Sequence, residues 1–281
     1  MSEITPAEAP RRTVFFISDG TGITAETLGH ALLTQFATQK LRQVPLPFVN
    51  SESAMDAALD RMAQAMREDG ARPVVFSTLV DQKMQARLDN SNVMVMDLLG
   101  AFLKPLELEF GQKSTLALGR SHAIADRQHY HIRMEAVNYA LQHDDGATVR
   151  HYQEADVILT GVSRSGKTPT CLYLAMQFGI KAANYPITEE DLEATGLPNA
   201  LRPHQSRLFG LTIEPEQLCH IRGERRPNSR YSSFSQCQSE VEETERLFRK
   251  HRIPFLDTTS VSIEEISSKL MQTMALERQL Y

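Results

Sequence analysis

Residues 161–168, Gly-Val-Ser-Arg-Ser-Gly-Lys-Thr, constrain this chain more than any other stretch, because they fit the phosphate-loop pattern G-x-x-x-x-G-K-[ST]. Such a loop belongs between a buried strand and a helix, and both flanks comply. Ala155 to Thr160 is a short apolar run suited to a parallel strand. Pro169 to Phe178 reads as a helix with Leu172, Ala175 and Met176 toward one face, closed by Gly179. The glycines at 161 and 166 let the chain curl with its N–H groups inward, and the helix N-terminus adds partial positive charge. Lys167 would reach a terminal phosphate, and the Thr168 hydroxyl would ligate Mg²⁺. Gly161, Val162, Ser163, Arg164, Ser165, Gly166, Lys167 and Thr168 are therefore the expected nucleotide-binding residues, with Lys167 also catalytic and Thr168 the metal ligand. A glycine turn that fits the pattern by chance is the competing reading, and the order strand, loop, helix argues against it.

The rest of the sequence sets the loop in an α/β protein. At 281 residues, 41% hydrophobic and 23% charged, the chain has the make-up of a globular protein of one large or two ordinary domains. A net charge of −5 gives no general affinity for nucleic acid. Cys171, Cys219 and Cys237 are scattered and odd in number, which disfavours a disulfide framework or zinc site and suits a cytoplasmic location. No apolar run approaches the roughly 18–20 residues of a membrane span. Residues 1–12 are expected to be a disordered tail without the basic and apolar regions of a signal peptide.

From Thr13 to about residue 110, strand and helix alternate, which predicts an N-terminal parallel α/β domain. Its first strand, Thr13 to Ser18, runs into Asp19-Gly-Thr-Gly-Ile-Thr24, read either as an ordinary turn or as a second anion site. Val44 to Val49 is a strand that Pro45 and Pro47 push toward an edge or a loop. Met55 to Arg67 carries Met55, Leu59, Met62 and Met66 at helical spacing, a core stripe. Residues 111–150 are expected to be a linker and connecting helix, the helix running from Asp126 to His143. His122, His129, His131 and His143 fall in this segment without the spacing of a helical metal pair. Residues 151–281 then form a P-loop kinase-like α/β domain with strands at Ala182 to Ile187, Leu208 to Ile213 and Ile253 to Asp257. Before its last strand, Arg222, Arg225, Arg226 and Arg230 form either a solvated loop or a segment that closes over a transferring phosphate.

Five stretches occur in order: Ser18 to Ala25, His143-Asp-Asp-Gly146, Gly161 to Thr170, Gly210-Leu-Thr-Ile213 and Ser262-Ile-Glu-Glu265. Together they resemble the regulatory proteins of phosphoenolpyruvate synthase and of pyruvate, phosphate dikinase, over about residues 13 to 275. The opening Ser18 to Leu28 looks more like the synthase-directed branch. The resemblance implies a bifunctional enzyme and phosphoenolpyruvate synthase as protein partner. It would transfer the β-phosphate of ADP to a threonine of that enzyme, and remove it with inorganic phosphate as pyrophosphate. ADP, inorganic phosphate and Mg²⁺ are the expected small partners, and a homo-oligomer the expected assembly.

Asp145 is the expected catalytic carboxylate on the acceptor side, since Gly146 could turn it back toward the loop. Helix termination by a polar cluster is the alternative, and Asp144 is the weaker catalytic choice. A second carboxylate for the metal is open between Asp257 and Asp191. Two other functions stay open: a small-molecule P-loop kinase, and a nucleotide-gated binding protein without chemistry.

Overall fold

The computed structural model describes residues 11–36, 38–116, 127–194 and 196–280. Its contacts divide the chain into two compact units, parting between residues 123 and 124. The expected tail at 1–10 and His122 lie outside the described residues, and Arg12 already opens the first strand.

The first unit alternates β1 (Arg12–Ile17), α1 (Ile23–Leu33), β2 (Leu41–Leu46), α2 (Glu52–Asp69), β3 (Val74–Ser77), α3 (Gln82–Asp89), β4 (Met94–Asp97) and α4 (Leu98–Phe110). Its strands pair in parallel in the order β2-β1-β3-β4. β1 is central, and all its residues after Arg12 are buried, as a strand covered on both faces must be. β2 is an edge strand and accommodates Pro45, whose missing N–H would break a central ladder. α2 starts where the Ser51 side chain accepts a bond from Ala54 N, and buries Met55, Ala58, Met62 and Ala65. Of the methionine stripe, Met55 and Met62 are core, Leu59 packs against it partly buried, and Met66 is half-buried outside it.

The second unit opens with α5 (Arg127–Gln142). It continues through β5 (Val157–Gly161), α6 (Lys167–Phe178), β6 (Ala182–Pro186), α7 (Glu189–Glu193), β7 (Leu208–Thr212), α8 (Pro215–Arg225), α9 (Phe234–His251), β8 (Phe255–Asp257) and α10 (Ile263–Thr273). These strands are parallel too, in the order β6-β5-β7-β8. Both sheets thus place their second strand on one side of the first and their third on the other. That reversal opens a crevice at the carboxyl end of the first strand, where open α/β sheets bind ligands. In the second unit that strand is β5, and it runs directly into the glycine loop.

One expectation changes. The helix taken as a connector, α5, packs Ala136 and Ala140 into one core with Cys171, Leu174 and Ala175 of α6. It is a structural helix of the second unit, which begins well before residue 151. After the arginine run, α9 is an 18-residue helix whose Cys237, Val241, Thr244, Leu247 and Phe248 are buried. Among the described residues, no helix is long and apolar enough to cross a membrane.

Candidate phosphoryl-transfer site

β5 ends at Gly161, where φ is 148° and an added Cβ would sit 2.1 Å from the Leu211 carbonyl oxygen. Only glycine lets the chain leave β5 so close to β7. The loop closes at Gly166, φ 88°, which caps α6 without a side chain and leaves the first N–H groups of that helix facing the loop. Ser165 Oγ donates to the Val162 carbonyl at 3.0 Å, and Lys167 Nζ donates to the same oxygen at 2.8 Å. The lysine therefore lies inside the ring of the loop, only 4% exposed. Burial lowers its ammonium to about 8, against the upward pull of Asp145, Cys171 and Asp144.

The carboxylates arrive from the end of α5. His143 is buried there, its Nδ1 2.8 Å from the Tyr139 carbonyl and its Nε2 2.7 Å from the Arg150 carbonyl. It stacks on the Tyr139 ring, and its own carbonyl accepts from Asn184 N. So held, the chain turns through Asp144–Gly146, with Asp145 at φ 47° and Gly146 at φ 68°. Asp144 Oδ1 accepts from the Thr168 hydroxyl at 2.7 Å. Asn184, fully buried on β6 and in register with Leu159 of β5, ties the cluster. Its amide donates to Asp144 Oδ1, to Thr168 Oγ1 at 3.0 Å and to Asp145 Oδ1 at 3.4 Å.

The structure thus brings together Lys167, Thr168 and Asp145, as the sequence predicts. It corrects the carboxylate beside Thr168, which is Asp144. Asp257 instead accepts from the Thr259 N–H and hydroxyl, at 2.9 and 2.6 Å, in the turn after β8. Asp191 completes the capping box of α7 with Thr188 and accepts from the Tyr185 hydroxyl. Both are occupied by local structure. Asn184 was missed altogether, because an asparagine in an apolar strand gives no motif.

The arginine run divides as well. Arg222 is fully buried and paired with Glu240 at 2.7 Å, so it cannot swing over a phosphate. It donates to the Ser163 and Tyr231 carbonyls, each at 3.2 Å, and lies 4.2 Å from the Tyr231 ring centre. Arg230 pairs with Glu189 at 3.3 Å, while Arg225 and Arg226 are exposed. In the first unit, Gly22 at φ 79° precedes α1, and Asp19 accepts from Val80 N at 2.7 Å, joining the loops after β1 and β3.

Comparison with known proteins adds a family match over most of the chain. The model of the kinase/pyrophosphorylase family matches residues 14–271. A relative from Marinobacter nauticus is 54% identical over 268 residues, covering 95% of this chain and 99% of its own. Others from Hahella chejuensis and Alcanivorax borkumensis are 51% and 53% identical over 270 residues, covering 96% of this chain and 99% of theirs. All three are named, as provisional assignments, phosphoenolpyruvate synthase regulatory proteins.

Proposed function

This chain belongs to the kinase/pyrophosphorylase family, and we propose that it regulates phosphoenolpyruvate synthase by moving one phosphoryl group in two directions. In one, the β-phosphate of ADP passes to a threonine of the synthase and turns it off. In the other, inorganic phosphate removes that group as pyrophosphate and restores activity. The observation that carries this reading is the junction at Thr168, where a loop hydroxyl and two carboxylates meet on the amide of Asn184, within electrostatic reach of the buried loop lysine.

The β-phosphate of ADP is terminal, so it lies where Lys167 reaches. Pyrophosphate is the diphosphate fragment that the same loop cradles, so one loop serves both directions. The backbone N–H groups of 161–168 orient the phosphates, and Lys167 offsets the charge that develops in transfer. Asp145, beside Lys167, is the base that accepts the proton of the threonine hydroxyl. Asn184 holds it there. The implied Mg²⁺ fits the chemistry of the donors: Thr168 and Asp144 are hard oxygen ligands, and the buried Asn184 Oδ1 has no hydrogen-bond partner among the described residues. Thr168 and Asp144 would hold the ion, which when bound neutralises phosphate charge.

The test is incubation with phosphoenolpyruvate synthase and ADP labelled in the β-position. Label on the synthase is the expected result. Label on a small metabolite would favour a small-molecule kinase, and intact bound ADP a non-catalytic binder.

A further inference from the structure

The return reaction brings two phosphate groups together, and near neutral pH each is close to a dianion. Lys167 supplies one cation inside the loop. Of the arginine run, Arg222 is locked to Glu240 and Arg230 is paired with Glu189, while Arg225 and Arg226 stand exposed at the end of α8. Another guanidinium belongs to the loop itself. Arg164 is exposed and stands at φ 79°, a backbone conformation that L side chains rarely adopt.

The residues on either side explain how that conformation is held. The Ser163 carbonyl accepts from Arg222 at 3.2 Å, and its hydroxyl lies 3.1 Å from the Tyr231 hydroxyl. The Ser165 hydroxyl donates to Val162, and its carbonyl accepts from the Thr258 hydroxyl at 3.2 Å. Both neighbours are fastened, and the residue between them is turned left-handed. Among the described residues, no hydrogen bond or ion pair engages the Arg164 guanidinium. Glycine would adopt this φ without strain. What arginine adds is a planar, five-donor cation held outside the ring of backbone N–H groups.

We propose that Arg164 binds the phosphoryl group on the acceptor side, the phosphate carried by the phosphothreonine of the target, while the ring around Lys167 holds ADP or inorganic phosphate. This rests on the regulatory reading above. In the return step, an oxygen of hydrogen phosphate forms a bond to the phosphorus of phosphothreonine, and the bond from that phosphorus to the threonine oxygen breaks. The proton of hydrogen phosphate ends on the threonine oxygen, leaving threonine and pyrophosphate. Arg164 stays charged throughout, and its fork offsets the repulsion between the approaching anions.

Arg164→Gly removes the guanidinium and relaxes the backbone, so the fold is not put at risk. Binding is measured by calorimetry with three probes: ADP, unmodified synthase, and synthase phosphorylated by the wild-type chain. The wild-type chain is expected to prefer the phosphorylated synthase over the unmodified one. The variant should lose about tenfold or more in affinity for the phosphorylated form, with ADP affinity within about threefold, and Arg164→Lys should recover part of the loss. An unchanged preference would overturn the proposal. So would an equal loss for ADP, which would make the side chain a nucleotide contact. A wild-type chain that leaves the synthase unphosphorylated overturns the regulatory reading, and this proposal with it, before any variant is made.

Discussion

At the scale of single residues, Lys167 and Asp145 decide the account. Burial brings the Lys167 ammonium down from 10.5 to about 8, so it begins to lose its charge in the folded chain well below the ordinary lysine range. Between those values the unfolded chain binds the proton and the folded chain does not, so this group favours folding as pH rises across that window. Nucleotide binding runs the other way, because the phosphate needs the cation. The dissociation constant for ADP should be flat below about pH 8 and rise above it by up to about tenfold per pH unit, as read by calorimetric titration. A constant affinity across that range would remove Lys167 from the phosphate. Asp145→Asn keeps the shape and deletes the base. Transfer to the synthase should fall roughly 10²–10⁴-fold, with ADP binding nearly intact. A variant that transfers at the native rate would exclude Asp145 as the base.

At the scale of elements, α8 and α9 act as a brace for the loop. Arg222 on α8, itself fully buried, meets the mostly buried Glu240 on α9 and reaches the Ser163 carbonyl. Arg222→Met strands the Glu240 carboxylate and should destabilise the chain by about 3 kcal/mol or more in denaturant titration. Arg225→Ala combined with Arg226→Ala should leave stability within about 0.5 kcal/mol, as expected of exposed positions. Equal effects would contradict the division of the run. This contrast also marks what the sequence made legible. The loop, its strand and its helix were readable because their residue types and spacing are dictated locally by backbone conformation. So was a turn at Gly146, though not the left-handed φ of Asp145 itself. The contacts of Asp144 with Thr168 and of Asn184 with both carboxylates were not, because they join residues 24 to 40 positions apart. Arg222 was misjudged for the same reason. Whether an arginine is buried depends on the Glu240 it meets, 18 positions away on another helix.

At the scale of the whole molecule, two parallel sheets share one strand order, and each opens a loop at the carboxyl end of its first strand. In the second unit that loop gathers the lysine, the hydroxyl, the two carboxylates and the amide that ties them. The central claim is that this one constellation moves phosphate both onto the synthase and off it. The measurement that tests it most directly is the rate of Lys167→Ala in both directions, from labelled ADP to the synthase and from phosphorylated synthase to pyrophosphate. A shared site predicts that both rates fall together, by roughly 10²–10³-fold. Loss of the forward reaction with pyrophosphate released at the full rate would place the two activities at different sites and contradict the account.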